Sequence, residues 1–417
     1  MAFPANLMLH ILSRLPVKSL VRFASVRKAW DALIRDSHFI SQHLRLNISK
    51  TGCLVVKYRS QITRKHVISL LLLDGYVLSD LEIPSVMDSN HLKFVGSCNG
   101  LLCLAHDTFA NLGSPIILWN PAMAEFRVLP DSLIGSANVH NARVSGVALG
   151  FGYHPLIDDY KLVRIVSLSR SNTPCIRAEV YSLKTDCWLE IDTLYFDIYE
   201  PSCTAVNGFL YWIAYGRVES ELILSFDMRN EAFGQLQLPD LNVLGSPMCK
   251  KLAALKESLY LMAYTFSGRQ KEFYVWQMVE QNAEVLWKLE CTIGPLLGVE
   301  RPLGCSLYGE IYIESSRGEL VLYDPTTQET KNVPTRGLRF SSEVHFYVES
   351  LVSTNGQAAA ESRRVLILGQ SLKKIRGNTR NAEKCDNQIC FLPKASPRCM
   401  KMNFSRLNDN VNSLLYT

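Results

Sequence analysis

The chain has 417 residues and a mass of 47.1 kDa, which is more than one ordinary domain. Hydrophobic residues make up 47% and charged residues 20%, so the chain can bury a large core and is not a wholly disordered polypeptide. The net charge of +5 does not favour nucleic acid as a partner, and the apolar runs fall far short of the ~20 residues of a membrane span.

The ends of the chain differ in charge from the middle. Residues 1–46 hold seven Lys/Arg and two Asp/Glu, and residues 356–417 hold eleven and four. Residues 47–355 hold 26 and 33 and are mildly acidic. This asymmetry predicts separate roles for the ends, and the acidic middle slightly favours a basic binding partner.

The N-terminal residues do not resemble a secretory signal. MAFPANLMLHILSRLP has neither a basic leader nor a small-residue cleavage site after a long apolar stretch. The twelve cysteines are therefore expected to be reduced thiols. We expect the protein in the cytoplasm, the nucleus or both.

Three short helices are predicted within residues 1–46. Pro4 can open the first helix, Pro16 can open the second, and an apolar cluster around Trp30 marks the third. So short a segment cannot bury all of its large apolar side chains within itself. Part of that surface must dock onto the rest of the chain or receive the helices of a partner protein.

The segment FPANLMLHILSRLPVKSLVRFASVRKAWDALIRDSHFISQHL resembles an F-box. It departs from the family where Ser25 replaces a common Cys and where only two residues precede Phe3. The resemblance implies binding to a Skp-type adaptor and, through it, to the cullin core of a ubiquitin ligase. It implies adaptor contacts, or residues that support them, at Pro4, Leu7, Ile11, Leu15, Pro16, Leu20, Val26, Trp30 and Leu33.

A repeated strand pattern occupies residues 47–353. In each copy an aromatic residue is followed directly by a polar turn residue. A second aromatic residue, or its equivalent, comes seven positions after the first aromatic. The clearest copies are Trp119 to Phe126, Tyr181 to Trp188, Phe226 to Phe233 and Tyr323 to Thr330. With a longer copy at Trp276 and a weak one at Leu73, the turns are predicted at positions 74, 120, 182, 227, 277 and 324.

A second turn precedes four of these copies. Asn99-Gly100, Asn207-Gly208, Lys256-Glu257 and Tyr308-Gly309 each introduce an apolar strand, and Asn-Gly is the strongest short hairpin signal. Each unit therefore contains about four strands in about 45–50 residues, the period of propeller blades of the WD or kelch kind. We predict an α+β multidomain chain, with a small three-helix segment before an all-β, propeller-like domain; a β-sandwich ranks second.

The order of motifs in this region resembles the kelch-like F-box-associated domain of plant F-box proteins. The matching segments include GSCNGLLCL, ILWNPAMAEFRVLP, EVYSLKTDCW and ILSFDMRNEAFGQLQLP. Together with the F-box, the resemblance covers residues 1–353. It implies a protein that recruits substrates through the propeller.

Signatures of catalysis are weak. Gly150-Phe151-Gly152 begins like a nucleotide-binding loop, but Pro155 follows where a glycine is needed, which favours a strand and turn. Asp158-Asp159 are adjacent carboxylates, which we place in a solvated loop. Cys385, Cys390 and Cys399 provide too few ligands for a zinc site. We predict no catalytic residues, no metal and no cofactor.

The basic tail, residues 354–417, does not continue the strand pattern. Arg363-Arg364 and the cluster at 373–376 could serve nuclear import, although a poorly ordered extension is the simpler interpretation. Val365–Leu368 could add a strand that closes the ring.

The favoured hypothesis is a non-catalytic, substrate-recognition subunit of a Skp–cullin–F-box ubiquitin ligase, which binds an unknown target protein. The alternatives are a propeller that binds proteins outside a ligase, and a small-molecule-binding or enzymatic propeller. The sequence does not assign the residues that bind the target.

Overall fold

A computed structural model describes residues 5–355 of the chain, apart from gaps at 49–51, 73–76, 107–111, 136–142, 171–172, 195, 197, 199–201, 217–219, 242–247, 267, 282–283, 307, 334 and 336. These residues belong to one compact unit, Met1–Ser362. Leu73-Asp74, Val365–Leu368, the basic clusters at 363–364 and 373–376, and the three tail cysteines lie outside the described residues.

Among the described residues before the first strand there are four helices, where the sequence predicted three. They are α1 (Ala5–Leu12), α2 (Val17–Ala24), α3 (Lys28–Ile34) and α4 (Ser37–Ile48). The predicted break at Asp36-Ser37 is a helix start, because Oδ1 of Asp36 accepts a hydrogen bond from the backbone N–H of Phe39 at 3.1 Å. None of the described helices is long and apolar enough to span a membrane.

Twenty-four strands follow in the described residues, and each pairs antiparallel with its neighbours in the same sheet. They are β1 (Cys53–Arg59), β2 (His66–Leu72), β3 (Val77–Leu81), β4 (Leu92–Cys98), β5 (Leu101–His106), β6 (Ile117–Asn120), β7 (Glu125–Val128), β8 (Arg143–His154), β9 (Asp159–Arg170), β10 (Thr173–Ser182), β11 (Cys187–Ile191), β12 (Thr204–Val206), β13 (Phe209–Tyr215), β14 (Glu221–Asp227), β15 (Ala232–Leu236), β16 (Met248–Leu255), β17 (Ser258–Thr265), β18 (Gln270–Gln281), β19 (Glu284–Leu297), β20 (Val299–Cys305), β21 (Ile311–Ser315), β22 (Leu320–Asp324), β23 (Glu329–Val333) and β24 (Glu343–Tyr347).

These strands form six four-stranded sheets. Sheet 1 contains β24, β1, β2 and β3, and sheets 2 to 6 contain β4–β7, β8–β11, β12–β15, β16–β19 and β20–β23. The first strand of each sheet contacts the first strands of its two neighbours, so the contacts close a circle around one axis. The fold is a six-bladed β-propeller, as the repeat predicted, and the β-sandwich alternative is wrong.

Sheet 1 closes the ring by joining two distant parts of the chain. Its innermost strand, β24, pairs with β1 from Cys53 opposite Tyr347 to Lys57 opposite Glu343. The sequence analysis suggested Val365–Leu368 as a possible ring-closing strand. In the structure the ring is closed by β24, which comes earlier in the chain.

The predicted hairpin pairs are cross-strand neighbours. Trp119 lies opposite Phe126, Tyr181 opposite Trp188, Phe226 opposite Phe233, and Tyr323 opposite Thr330. Two residues seven apart meet across a hairpin of this length, so the seven-residue spacing marks the outer hairpin of a blade.

The predicted turn at Gln277 is wrong. Gln277 lies inside β18, opposite Lys288 of β19, and the hairpin turn falls after Gln281. Strands β18 and β19 have 12 and 14 residues, so this hairpin extends well beyond the others. Trp276 therefore pairs with Leu289 and not with Trp287.

Close packing between blades explains the glycine pair of the nucleotide-like motif. Gly150 and Gly152 lie within β8, where a Cβ on Gly150 would lie 2.7 Å from Sγ of Cys203, and one on Gly152 would lie 2.9 Å from Cε of Met228. Sheets 3 and 4 thus approach too closely for a side chain at either position, and the predicted strand role is confirmed.

The antiparallel order gives the ring two distinct ends. In sheets 2 to 6 the first and third turns lie at one end, and the second turns and the links between sheets lie at the other, together with the second turn of sheet 1. We call the first end the helix face, because the helices pack there, and the second the far face.

Candidate interaction surfaces

The four helices share one apolar core with the propeller. Leu12, Val17, Leu20, Ile34 and Phe39 pack together with Ala122 and Leu351. Ala122 lies in a short 3-10 helix, Pro121–Met123, at the third turn of sheet 2, and Leu351 follows the closing strand. Part of the apolar surface of the helices is therefore covered by the chain's own propeller.

Another part of that surface remains uncovered. The side chains of Leu7, Ile11 and Val26 are between 45% and 70% exposed. Pro16, just before α2, is exposed as well. Leu7 and Ile11 are four residues apart on α1 and so lie on the same side of that helix. The sequence analysis offered two interpretations of this apolar surface, docking onto the rest of the chain and binding of a partner protein. One side of the helices fits the first interpretation, and the uncovered side fits the second.

The predicted adaptor residues divide by burial. Leu15, Trp30 and Leu33 are half-buried, whereas Leu20 is fully buried. Leu20 can support an adaptor surface but cannot contact a partner, because it lies in the core shared with Val17 and Phe39. Pro4 lies outside the described residues.

Trp30 carries an unpaired polar atom in this region. Its indole packs edge-on against Phe23 with ring centroids 5.6 Å apart. Nε1 is buried and has no acceptor among the described residues. Buried donors are normally satisfied, so this N–H can donate to a partner's oxygen only if the local packing opens.

His43 fixes α4 against the turn between α1 and α2. Its Nε2 lies 2.9 Å from the carbonyl oxygen of Leu15, and Nδ2 of Asn47 lies 3.2 Å from Nδ1. Burial lowers the pKa of His43, so the neutral ring is favoured. With Nε2 protonated, the ring donates to Leu15 and accepts from Asn47.

The segment 348–355 connects the closing strand to sheet 2 beneath the helices. Nδ2 of Asn120 donates to the carbonyl oxygens of Ser350 at 3.0 Å and Val352 at 2.8 Å. Glu125 accepts hydrogen bonds from Ser353, Thr354 and Asn355 at 2.7–3.2 Å. We call residues 348–355 the strap. It holds the helix-bearing end of sheet 1 to sheet 2.

Polar side chains on and beside the innermost strands make defined contacts. Nζ of Lys57 donates to Glu343 at 2.7 Å, Nζ of Lys251 donates to Oγ of Ser202 at 3.1 Å, and the ring of His345 stacks on Phe94 at 4.3 Å. Burial lowers the pKa of His345 to about 4. In the contact between Lys251 and Ser202 the lysine is the hydrogen-bond donor, so this contact supports the packing of the inner strands.

The adjacent carboxylates of the first turn of sheet 3 are structural. Asp158 lies in the turn, where the backbone φ of 48° is left-handed. Asp159 is buried, contrary to the solvated loop that the sequence suggested, and accepts from Oγ of Ser182 at 2.6 Å and the backbone N–H of Lys184 at 3.0 Å. Among the described residues, no group of three or more His, Cys, Asp or Glu could hold a metal ion.

The far face carries apolar side chains that the sequence reasoning missed. Ile62, Phe266, Leu297 and Phe340 are between 54% and 78% exposed. They lie in the second turn of sheet 1, the second turn of sheet 5, the end of sheet 5 and the link from sheet 6 to sheet 1. No motif in the sequence marks these four positions. We call these four residues the far-face patch.

The geometry defines a closed six-bladed propeller with a helical module packed on one face and an apolar patch on the other. The chain belongs to the F-box associated beta propeller domain family, whose profile matches residues 76–354.

Similar proteins of known sequence are plant F-box proteins. An F-box/kelch-repeat protein of Arabidopsis thaliana is 27% identical over 363 residues, covering 84% of this chain and 96% of that protein. The F-box protein CPR1 of the same plant is 26% identical over 377 residues, covering 84% and 88%. Among solved structures, TolB from Acinetobacter baumannii has a TM-score of 0.44 at 15% identity, covering 75% of this chain and 70% of that chain.

Proposed function

We propose that this protein is the substrate-recognition subunit of a Skp–cullin–F-box ubiquitin ligase. In this proposal α1 to α4 form the F-box and bind a Skp-type adaptor, while the propeller binds the target protein. The uncovered apolar side chains of Leu7, Ile11 and Val26 carry the proposal, because the rest of the helical core is already buried. Membership in the F-box-associated family and the F-box names of its relatives support it.

The proposed mechanism is proximity. The helical module would hold the ligase core at one end of the ring and the propeller would hold the target, so that the target's lysines meet the ubiquitin carrier at a raised effective concentration. This role requires no catalytic group on the chain and places the protein in the cytoplasm, the nucleus or both.

The rigid docking of the helices suits such a role. The strap and the shared core fix the helices on the propeller, so an adaptor and a target would be held at a defined distance. Rigid positioning makes a proximity mechanism more efficient than a flexible tether does.

Adaptor capture tests the proposal. The full chain, co-expressed with a Skp-type adaptor, should retain it through purification, and Ile11→Asp should reduce capture at least about tenfold by placing a charge in an apolar contact. Val285→Asp is the matched control, since Val285 is 41% exposed on the hairpin of β18 and β19. Failure of the folded wild-type chain to retain the adaptor overturns the proposal.

One observation favours a second candidate, an interaction protein that acts outside a ligase. Ala122 and Leu351 of the propeller cover part of the helical core and reduce the surface left for an adaptor. Loss of adaptor binding together with retained target binding would favour this alternative.

A further inference from the structure

The far-face patch is carried by loops and strand ends of three neighbouring blades, and hydrogen bonds join these loops. Nε2 of Gln61 donates to the carbonyl oxygens of Arg317 at 3.1 Å and Gly337 at 2.8 Å, which joins the second turn of sheet 1 to two loops of sheet 6. The backbone N–H of Ser316 donates to the carbonyl oxygen of Gly298 at 2.8 Å, which joins sheet 6 to the end of sheet 5. Leu297 pairs with Gln270, at the border of the loop that carries Phe266.

The loops that carry the patch are held in place. Nζ of Lys271 is almost fully buried and donates to the carbonyl oxygens of Thr265 and Phe266. The backbone N–H of Leu338 donates to the carbonyl oxygen of Arg59 at 2.8 Å. The exposed apolar side chains are therefore presented by an ordered scaffold, which lowers the entropy lost when a partner binds.

Basic side chains surround the patch. Six exposed basic side chains lie on its loops and strand ends, where four acidic side chains, Glu272, Glu300, Glu319 and Glu343, are only partly exposed; the six are Arg59, Arg64, Lys65, Arg269, Arg317 and Arg339. Arg339 is neutralised by Glu300 at 2.6 Å and also lies over the ring of Phe340, 5.2 Å from its centroid. Within the described part of the chain, Arg64, Lys65, Arg269 and Arg317 form no ion pair.

The local charge is opposite to that of the whole middle segment. Residues 47–355 are acidic in sum, which slightly favoured a basic partner. The far-face patch instead combines an excess of positive charge with four exposed apolar side chains. A partner that matches both the positive charge and the apolar side chains must present carboxylates next to apolar side chains.

We infer that the far-face patch is the target-binding surface and that it binds an acidic peptide segment with apolar or aromatic anchor residues. The anchors pack among Ile62, Phe266 and Leu297, and the carboxylates pair with the arginines of the surrounding loops. The inference deepens the proposed function, on which it rests, by assigning the target a chemistry. A single-stranded nucleic acid fits less well, because two of the four apolar groups are aliphatic and offer no ring for base stacking.

The location of the patch also allows the adaptor and the target to bind at opposite ends of the ring. The helices pack on the helix face, and the patch lies at the opposite end, so the two partners do not compete for the same surface. An adaptor on Ile11 and a target on Phe266 can therefore be bound at the same time.

The test uses the full chain as bait for a phage library of random peptides. We expect the enriched peptides to carry Asp or Glu beside Phe, Leu, Ile or Trp, and their binding to weaken as salt rises. The double variant Phe266→Ser, Arg269→Glu should weaken the binding of an enriched peptide at least about tenfold. Enrichment of basic peptides, or of no peptides, overturns the inference.

A matched control separates the patch from general surface effects. Leu156 is 74% exposed on the helix face, and Arg229 is exposed in a neighbouring turn, so Leu156→Ser, Arg229→Glu likewise replaces an exposed apolar side chain by Ser and an exposed Arg by Glu, but away from the patch. This control should leave peptide binding unchanged, and an equal loss in both double variants contradicts the inference.

Two further readouts complete the test. A polyuridine oligonucleotide should not bind to the wild-type chain. If it does bind, and the variant Phe266→Ser, Arg269→Glu abolishes that binding, the patch is a nucleic-acid site instead. Adaptor capture by this variant should remain at the wild-type level, because the patch is remote from the helices. Loss of peptide binding with retained adaptor capture thus reports on the patch, whereas loss of adaptor capture by the wild-type chain reports on the proposed function.

Discussion

The side-chain amide of Asn120 donates a hydrogen bond to the carbonyl oxygen of Val352 at 2.8 Å, across 232 positions of sequence. The same side chain accepts from the backbone N–H groups of Ala122 and Met123. Asn120 therefore caps the 3-10 helix that contacts the helical module and ties that turn to the strap. One buried amide connects the outer turn of sheet 2, the end of the closing strand and the base of the helices.

Replacing Asn120 by Ala should destabilise the protein by about 3 kcal/mol, because buried carbonyl oxygens of the strap and two backbone N–H groups lose their partner. Chemical denaturation of the full chain measures this loss. Asn332→Ala is the control, since Asn332 is exposed on β23 and its removal should cost less than about 0.5 kcal/mol. Equal midpoints for the two variants would show that the tie contributes no stability.

Gly100 should tolerate substitution much less than Gly309. Both have positive φ, 81° and 95°, so Ala at either site should cost about 1 kcal/mol from backbone strain. A Cβ on Gly100 would also lie 2.6 Å from the carbonyl oxygen of Val348 in the strap, whereas Gly309 has open space. Gly100→Ala should therefore cost at least about 2 kcal/mol more than Gly309→Ala in thermal and chemical unfolding.

A similar loss for both glycine variants would mean that the strap moves away easily. The pair separates the two effects because the backbone strain is common to both sites and only the steric clash differs.

Glu179→Gln should destabilise the protein far more than Glu190→Gln. Glu179 is fully buried beside Arg164 at 3.5 Å and accepts from Oγ of Ser132 and the backbone N–H of Leu133. A glutamine has one acceptor oxygen and leaves the Arg164 charge without a counterion, so we expect a loss of about 3 kcal/mol. Glu190 pairs with Arg177 at the surface, where the same change should cost less than about 1 kcal/mol.

Denaturant unfolding of the two variants measures the difference, and the location of Glu179 adds a second readout. Its hydrogen bonds hold the link between sheets 2 and 3 on the far face, so hydrogen exchange at Leu133 and Ile134 should accelerate in Glu179→Gln alone. Unchanged exchange there would contradict the assigned role.

Acid should weaken the fold between about pH 6.5 and pH 4. Burial lowers the pKa of His345 to about 4, with Lys57 and Lys251 acting in the same direction and Glu343 in the opposite one. The unfolded chain has an ordinary histidine pKa near 6.5, so it binds a proton in this window while the folded chain does not. The contribution of His345 is present above pH 6.5 and is lost as the pH falls towards 4.

Denaturant unfolding at pH 7.5 and pH 5 measures this effect. His345→Gln should show a smaller loss of unfolding free energy between the two pH values than wild type, by about 1–2 kcal/mol. His38→Gln, on the exposed side of α4, should retain the wild-type loss. His66, whose pKa burial also lowers to about 4, should account for part of the remaining loss in His345→Gln.

The outer hairpins could be predicted because their signal is local. Trp119 and Phe126 are close in sequence, and a tight turn fixes which residues meet across it. The same rule failed at Trp276, because the length of β18 and β19 is set by mutual pairing over 12 and 14 residues and by two register shifts. No local pattern specifies where such a long hairpin turns.

The candidate surfaces could be predicted only in part. The helical spacing of Leu7 and Ile11 indicated an apolar side of α1, but nothing local distinguished it from the side that Leu12 buries against the propeller. Leu20 illustrates the same limit, because an F-box resemblance names the position and only the packing decides that it is buried. The far-face patch depends on which loops of sheets 5, 6 and 1 meet, and that follows from ring closure.

The sequence by itself determined the helical start, the period of the blades and the left-handed turns at Asn99-Gly100 and Asn207-Gly208, since propensity, spacing and turn chemistry act over a few residues. The tertiary structure alone decided the pairing of β24 with β1, the strap held by Asn120 and the basic surroundings of Phe266 and Phe340. These features join residues hundreds of positions apart. Their geometry exists only when the ring is closed, because closure brings distant strands and loops within hydrogen-bonding distance.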